Sequence, residues 1–188
     1  MKKVFIAIVI IFISFVLGAG SAYLAITYLG DAGWVKNGAW KTNLTLGSEE
    51  AGMYTRAYVA LHALLSLRRS QTIYYYAEID DLGNPLTSDC VFRIEGEPLN
   101  ARWWSITAYG DDQFLIPNEE GRYSFNQGIS NTGGYVIYLS RMPQEGNWLP
   151  TGDEKRLFLC LRLYNPADEY YDHPEAVKLP RIIRKECP

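Results

Sequence analysis

Three arginines stand against aromatic residues in this chain: Arg102 precedes Trp103 and Trp104, Arg122 precedes Tyr123, and Arg162 lies two residues before Tyr164. A guanidinium carries a fixed charge and a planar fork of donors. Set against Asp111, Asp112 or Glu119, such a group buttresses neighbouring strands, which is the commoner role. Unpaired in a cleft, it is an anion site. Trp103, Trp104 and Trp148 carry the same duality. A tryptophan fills core and bonds its indole N–H when buried, or it offers a platform to a sugar or another ligand. Arg102, Trp103, Trp104, Arg122, Tyr123, Trp148 and Arg162 are therefore the candidate ligand rim.

Other chemistries find less support. Asp111-Asp112 and Glu119-Glu120 are adjacent acids that read as solvated turns, since glycoside hydrolysis needs two carboxyls about 5–10 Å apart across a cleft. The two histidines, His62 and His173, lie far apart in the chain. No Cys/His spacing resembles a zinc site, and no nucleophile elbow or phosphate-cradling glycine loop occurs. We therefore expect no metal and no cofactor.

The elements that position these residues begin with a membrane segment. Val4 to Leu29 is free of charge, and a bilayer core needs about 20 apolar residues. Lys2 and Lys3 precede it and all 21 Asp and Glu follow it. Positive charge on the cytoplasmic side predicts an N-terminal transmembrane anchor over 1–30. A single exported domain over 31–188 then stands in the periplasm, on the bacterial inner membrane. A cleaved signal peptide is the competing reading, supported by small residues from Gly18 to Ala22. It is opposed by the apolar run Tyr23-Leu24-Ala25-Ile26. The acidic remainder lacks the basic stripe of a nucleic-acid binder. The expected partners are the lipid bilayer, through residues 4–29, and an envelope ligand or protein.

Within the domain, a possible extended piece at Asn43–Leu46 precedes a helix of about five turns. Ser48 would cap it, Met53, Ala57, Ala60, Leu61, Leu64 and Leu65 would form its apolar stripe, and Arg68-Arg69 would end it. The period then changes to two. Strands are expected at Ile73–Asp80, Cys90–Glu95, Trp103–Tyr109, Tyr135–Ser140 and Lys155–Tyr164, with a turn at Gly110-Asp111-Asp112 leading to Phe114-Leu115-Ile116. Leu157, Leu159, Leu161 and Leu163 alternate with Phe158, Cys160, Arg162 and Tyr164, the cleanest strand signal present. The expected fold is mainly β, a β-sandwich with one packed helix. Cys160 is expected to face inward as a small hydrophobe. Cys90 and Cys187, the latter in a lightly constrained tail, are expected to pair. Such a bridge closes a loop of about 98 residues and contributes roughly 3–5 kcal/mol in the chain-entropy model.

An ordered set of motifs carries a resemblance. Ala101-Arg102-Trp103-Trp104-Ser105-Ile106-Thr107-Ala108-Tyr109 is followed by Phe114-Leu115-Ile116-Pro117-Asn118 and Arg122-Tyr123-Ser124. Gly146-Asn147-Trp148-Leu149-Pro150 and Leu161-Arg162-Leu163-Tyr164-Asn165-Pro166 complete it. Together these resemble the bacterial domain of unknown function 1214, strongly over Arg102–Pro166 and more weakly around Trp40 and Tyr54–Ala57. The chain looks like a short, stand-alone, membrane-anchored member. The resemblance implies a β-sandwich similar to a jelly roll and implies no reaction, cofactor or catalytic residue. The leading expectation is a ligand- or partner-binding module of the envelope. The alternatives are a hydrolase-like enzyme, with acids near Arg122-Tyr123 moving protons, and a structural subunit of a membrane complex.

Overall fold

The computed structural model describes residues 2–29, 33–61, 66–129 and 133–187. It opens with helix α1 (Lys2–Leu29), on which Phe5, Ile11, Phe12 and Phe15 are all exposed. A helix apolar all round needs hydrocarbon or protein about it. This one is long and apolar enough to cross a membrane, and a signal sequence has the same character. The expected boundary at residues 30 and 31 lies outside the described residues.

Ten strands follow. They are β1 (Val35–Asn37), β2 (Trp40–Thr42), β3 (Thr72–Ala77), β4 (Val91–Gly96) and β5 (Ala101–Gly110). The remainder are β6 (Ser124–Asn126), β7 (Tyr135–Ser140), β8 (Trp148–Pro150), β9 (Leu157–Pro166) and β10 (Arg181–Glu186). One sheet has the order β1-β2-β3-β9-β5-β6, the other β10-β4-β7-β8. Neighbours are antiparallel except β7 and β8. The two-residue period decides which side chains lie between the sheets. Ile73, Tyr75 and Ala77 of β3, Trp104, Ile106 and Ala108 of β5, and the four leucines of β9 come from the larger sheet. Phe92, Ile94, Ile137, Leu139, Leu149 and Ile182 meet them from the smaller one. The result is the expected β-rich, two-sheet arrangement.

Several local expectations need correction. Helix α2 spans Met53–Leu61, and Ser48 sits in a turn before it, so Gly52 rather than Ser48 accepts the first helical bond, from Arg56. Met53 and Ala60 of the expected stripe are exposed, while Val59 faces the sheet. Arg68 and Arg69 follow in coil and turn. Leu64, Leu65 and His62 lie outside the described residues. Asn43–Leu46 is turn, its place as an edge taken by β1 and β2. The expected turn after β5 leads to a single bridge, Tyr109 to Leu115. The tail is tightly held, because β10 pairs with β4 along its length. Cys90 and Cys187, just before the start of β4 and just past the end of β10, sit at disulfide distance.

Asp80 fastens the turn after β3 to β10. Its carboxylate is 1% exposed and accepts bonds from Leu82 N at 2.9 Å and Asn84 N at 2.8 Å, with Arg184 Nε at 3.1 Å. Burial alone would raise its pKa; the bonds from Asn84 and Leu82, with the Arg184 charge, outweigh that and hold it below the ordinary 3.8. A depressed folded value stabilises the fold above the unfolded value, and this stabilisation is lost as the pH falls through the folded value. Denaturation by urea at successive pH values should therefore show stability dropping below about pH 4. Asp80→Asn should lower stability at pH 7 and flatten that acid slope; an unchanged slope would contradict this role.

Candidate functional site

The seven rim residues do not converge. Trp104 is 1% exposed and lies in the inter-sheet core with its ring 4.5 Å from that of Tyr135. Trp148 is buried and donates from Nε1 to Ser140 O at 3.0 Å. Both belong to packing and offer no ligand surface. Arg122 donates from Nη1 to Trp148 O at 3.1 Å and lies 3.8 Å from Glu120, so it buttresses β8. Asn118 binds the Arg122 backbone through both of its side-chain polar atoms, which sets that geometry. Tyr123 is partly exposed before β6, and Arg102 is exposed near the start of β5. The Arg122 guanidinium lies 5.9 Å from the Trp148 ring, and Trp103 and Arg162 share the outer face of the larger sheet.

That face follows from register. Trp103, Ser105, Thr107 and Tyr109 of β5 stand opposite Tyr164, Arg162, Cys160 and Phe158 of β9. Tyr74 and Tyr76 of β3 stand opposite Arg162 and Cys160 on the other side. Leu46, Tyr74, Tyr76 and Cys160 form a second buried cluster, with Val59 of α2, Trp34, Tyr109 and Phe158 against it. Cys160 is thus buried as expected, but on the face opposite the main core. Burial pushes its thiol up to about 11, although the Arg162 charge and a bond with Tyr76 act the other way. At neutral pH it stays a thiol, a poor nucleophile.

Where the cover ends, a pocket of about 520 Å³ opens. Its walls are Trp34, Tyr76 and Phe158. The Trp34 and Tyr76 rings meet edge-on at 5.7 Å, and Tyr76 and Phe158 are 6.3 Å apart. Lys41 lies 5.3 Å above the Trp34 ring and 2.9 Å from Glu78. Asp111, Arg156 and Gln113 add further polar groups to the lining, and Ile79, Pro85, Leu86 and Leu157 add apolar ones. Gln113 holds φ at 69°, a conformation uncommon outside glycine that tends to occur at functional sites.

A larger groove of about 770 Å³ crosses the outer face of the smaller sheet. Its charges are largely satisfied internally: Arg93 pairs with Glu95, Lys178 with Glu97, and Asn100 donates to Glu169 at 3.2 Å. A ligand there would compete with ready-made pairs. Three aromatic side chains with polar groups converging beside them are the better description of a small-molecule site, so the smaller pocket is the candidate. No group of three or more His, Cys, Asp or Glu could hold a metal among the described residues.

Comparison with known proteins adds a family and a fold. The family model described as "Protein of unknown function (DUF1214)" matches residues 71–168. No curated protein matches. A crystal structure of a Vibrio parahaemolyticus protein is similar at a TM-score of 0.56 and 21% identity, over 69% of this chain and 35% of that one. An uncharacterized protein from Burkholderia cenocepacia aligns at a TM-score of 0.42 and 18% identity, over 63% of this chain and 30% of that one. This chain spans about a third of the length of either. The matched region holds β3, β5 and β9, which build the outer face, whereas Trp34 and Lys41 of the pocket lie before it.

Proposed function

Because this chain belongs to the DUF1214 family, for which no activity is described, we propose a function from its own geometry: an envelope protein that binds a small ligand. The helix α1 anchors it, and the domain stands in the periplasm. The aromatic-walled pocket on the outer face of the larger sheet is the observation that carries this reading. Three rings close together bind the flat, apolar face of a ligand, and the charges at the mouth bond its polar edges. A sugar ring has that two-sided character. The acidic groups there include Glu78, already tied to Lys41 at 2.9 Å, an arrangement suited to orienting a ligand rather than to moving protons.

The test is a thermal-shift titration of the full chain in non-ionic detergent with envelope oligosaccharides. A ligand at a hundredfold excess over its Kd stabilises by about 2.7 kcal/mol, or roughly 5–10 °C in a domain of this size. Trp34→Leu should weaken that ligand at least ~10-fold by removing one wall, while Met142→Ala, exposed elsewhere, should leave it unchanged. A panel giving no shift, or a shift indifferent to Trp34→Leu, would reject the pocket as the site.

A further inference from the structure

We propose that Arg162 centres a second site, distinct from the aromatic pocket, which binds a small anion bearing a carboxylate or phosphate. Arg162 projects from β9 onto the outer face, half-buried. Its Nη1 donates to Thr107 Oγ1 at 3.1 Å and its Nη2 to the Tyr109 hydroxyl at 2.6 Å. The rings of Tyr74 and Tyr109 lie 6.0 and 5.5 Å from the guanidinium. Among the described residues, none of the ion pairs includes Arg162. A partly desolvated cation is costly unless an anion compensates it. The remaining arginines either pair with acids or bond backbone carbonyls (Arg56), or are exposed.

The donor balance indicates what is wanted. An arginine has five N–H groups, and two bonds to hydroxyls leave donors over. Thr107 and Tyr109 act as acceptors towards Arg162, so each hydroxyl still has its own proton to donate. Ser105 adds a third hydroxyl directly opposite Arg162 in register. The cluster is rich in donors and poor in acceptors, and carboxylate and phosphate oxygens suit it, arginine binding either in bidentate fashion. The neighbouring Cys160 thiol is neutral and supplies no counter-charge. The two sites are neighbours, because Tyr109 stacks on Phe158 of the pocket at 5.2 Å, so Trp34→Leu, which removes a pocket wall outside the Arg162 cluster, should leave the anion response unchanged and tells the two apart.

The experiment titrates the full chain in non-ionic detergent with sodium phosphate and, separately, sodium succinate, with ionic strength held constant by chloride. A saturable rise in Tm is expected with at least one anion, and the one that acts identifies the class. Arg162→Gln should abolish it. Tyr109→Phe keeps the arginine and removes one hydroxyl donor, so it should weaken binding ~10-fold and serves if Arg162→Gln does not fold. Chloride-like behaviour of both anions, or affinity unchanged in Tyr109→Phe, would overturn the proposal.

Discussion

Trp104→Ala will destabilise the domain by about 3–5 kcal/mol, the cost of emptying a fully buried aromatic site, while Trp103→Ala next to it will cost less than about 1 kcal/mol. The two residues are adjacent, so alternation sends one between the sheets and the other outward. Trp104 is 1% exposed and packs on Tyr135, whereas Trp103 is 40% exposed and touches Tyr164 edge-on at 5.1 Å. With a slope of about 2 kcal/mol per molar urea, the first change should move the unfolding midpoint by ~2 M and the second by less than ~0.5 M. Equal midpoints would mean that the face assignment of β5 is wrong.

The second large effect is the bridge between Cys90 and Cys187. These residues are 97 apart in sequence, so the link restricts most of the domain when unfolded. Replacing both by serine should cost about 3–5 kcal/mol in the chain-entropy description. β10 should suffer first, because it lies at the edge of its sheet and, among the described residues, pairs with β4 alone. Hydrogen exchange should show Arg181–Glu186 losing protection before β5 and β9. Thiol titration of the native protein should find Cys160 unreactive, since it is buried. Undiminished stability in the double variant would show that pairing with β4 alone holds the tail.

The strongest elements were legible because their period is strict. The leucines of β9 and the alternation of β5 assign their faces correctly, since each runs for ten residues. β8 has three residues, too few to show any period, so nothing local separates core filling from a ligand platform for its Trp148. β10 escaped because only Ile182 of its six residues is buried; Arg181, Lys185 and Glu186 mask an edge strand as a polar tail. In α2, spacing suggested Met53 and Ala60 as the inner face, but the helix lies so that Val59 meets the aromatic cluster. Arg162 was visible as an arginine among aromatic residues, yet its bonds to Thr107 and Tyr109 depend on pairing with a strand more than fifty residues earlier. The pocket was not legible. Trp34 and Phe158 come together only through the order β1-β2-β3-β9, which no local pattern announces.

The proposed ligand pocket, the cysteine pair at disulfide distance and the apolar N-terminal helix meet in one proposed premise: the domain is delivered across the membrane and remains tethered there. The most direct measurement fuses alkaline phosphatase, and separately a fluorescent protein that matures only in the cytoplasm, after Pro188. Membrane-bound phosphatase activity with a dark fluorescent fusion is the predicted result. Bright fluorescence with inactive phosphatase would contradict it, placing the domain in the cytosol.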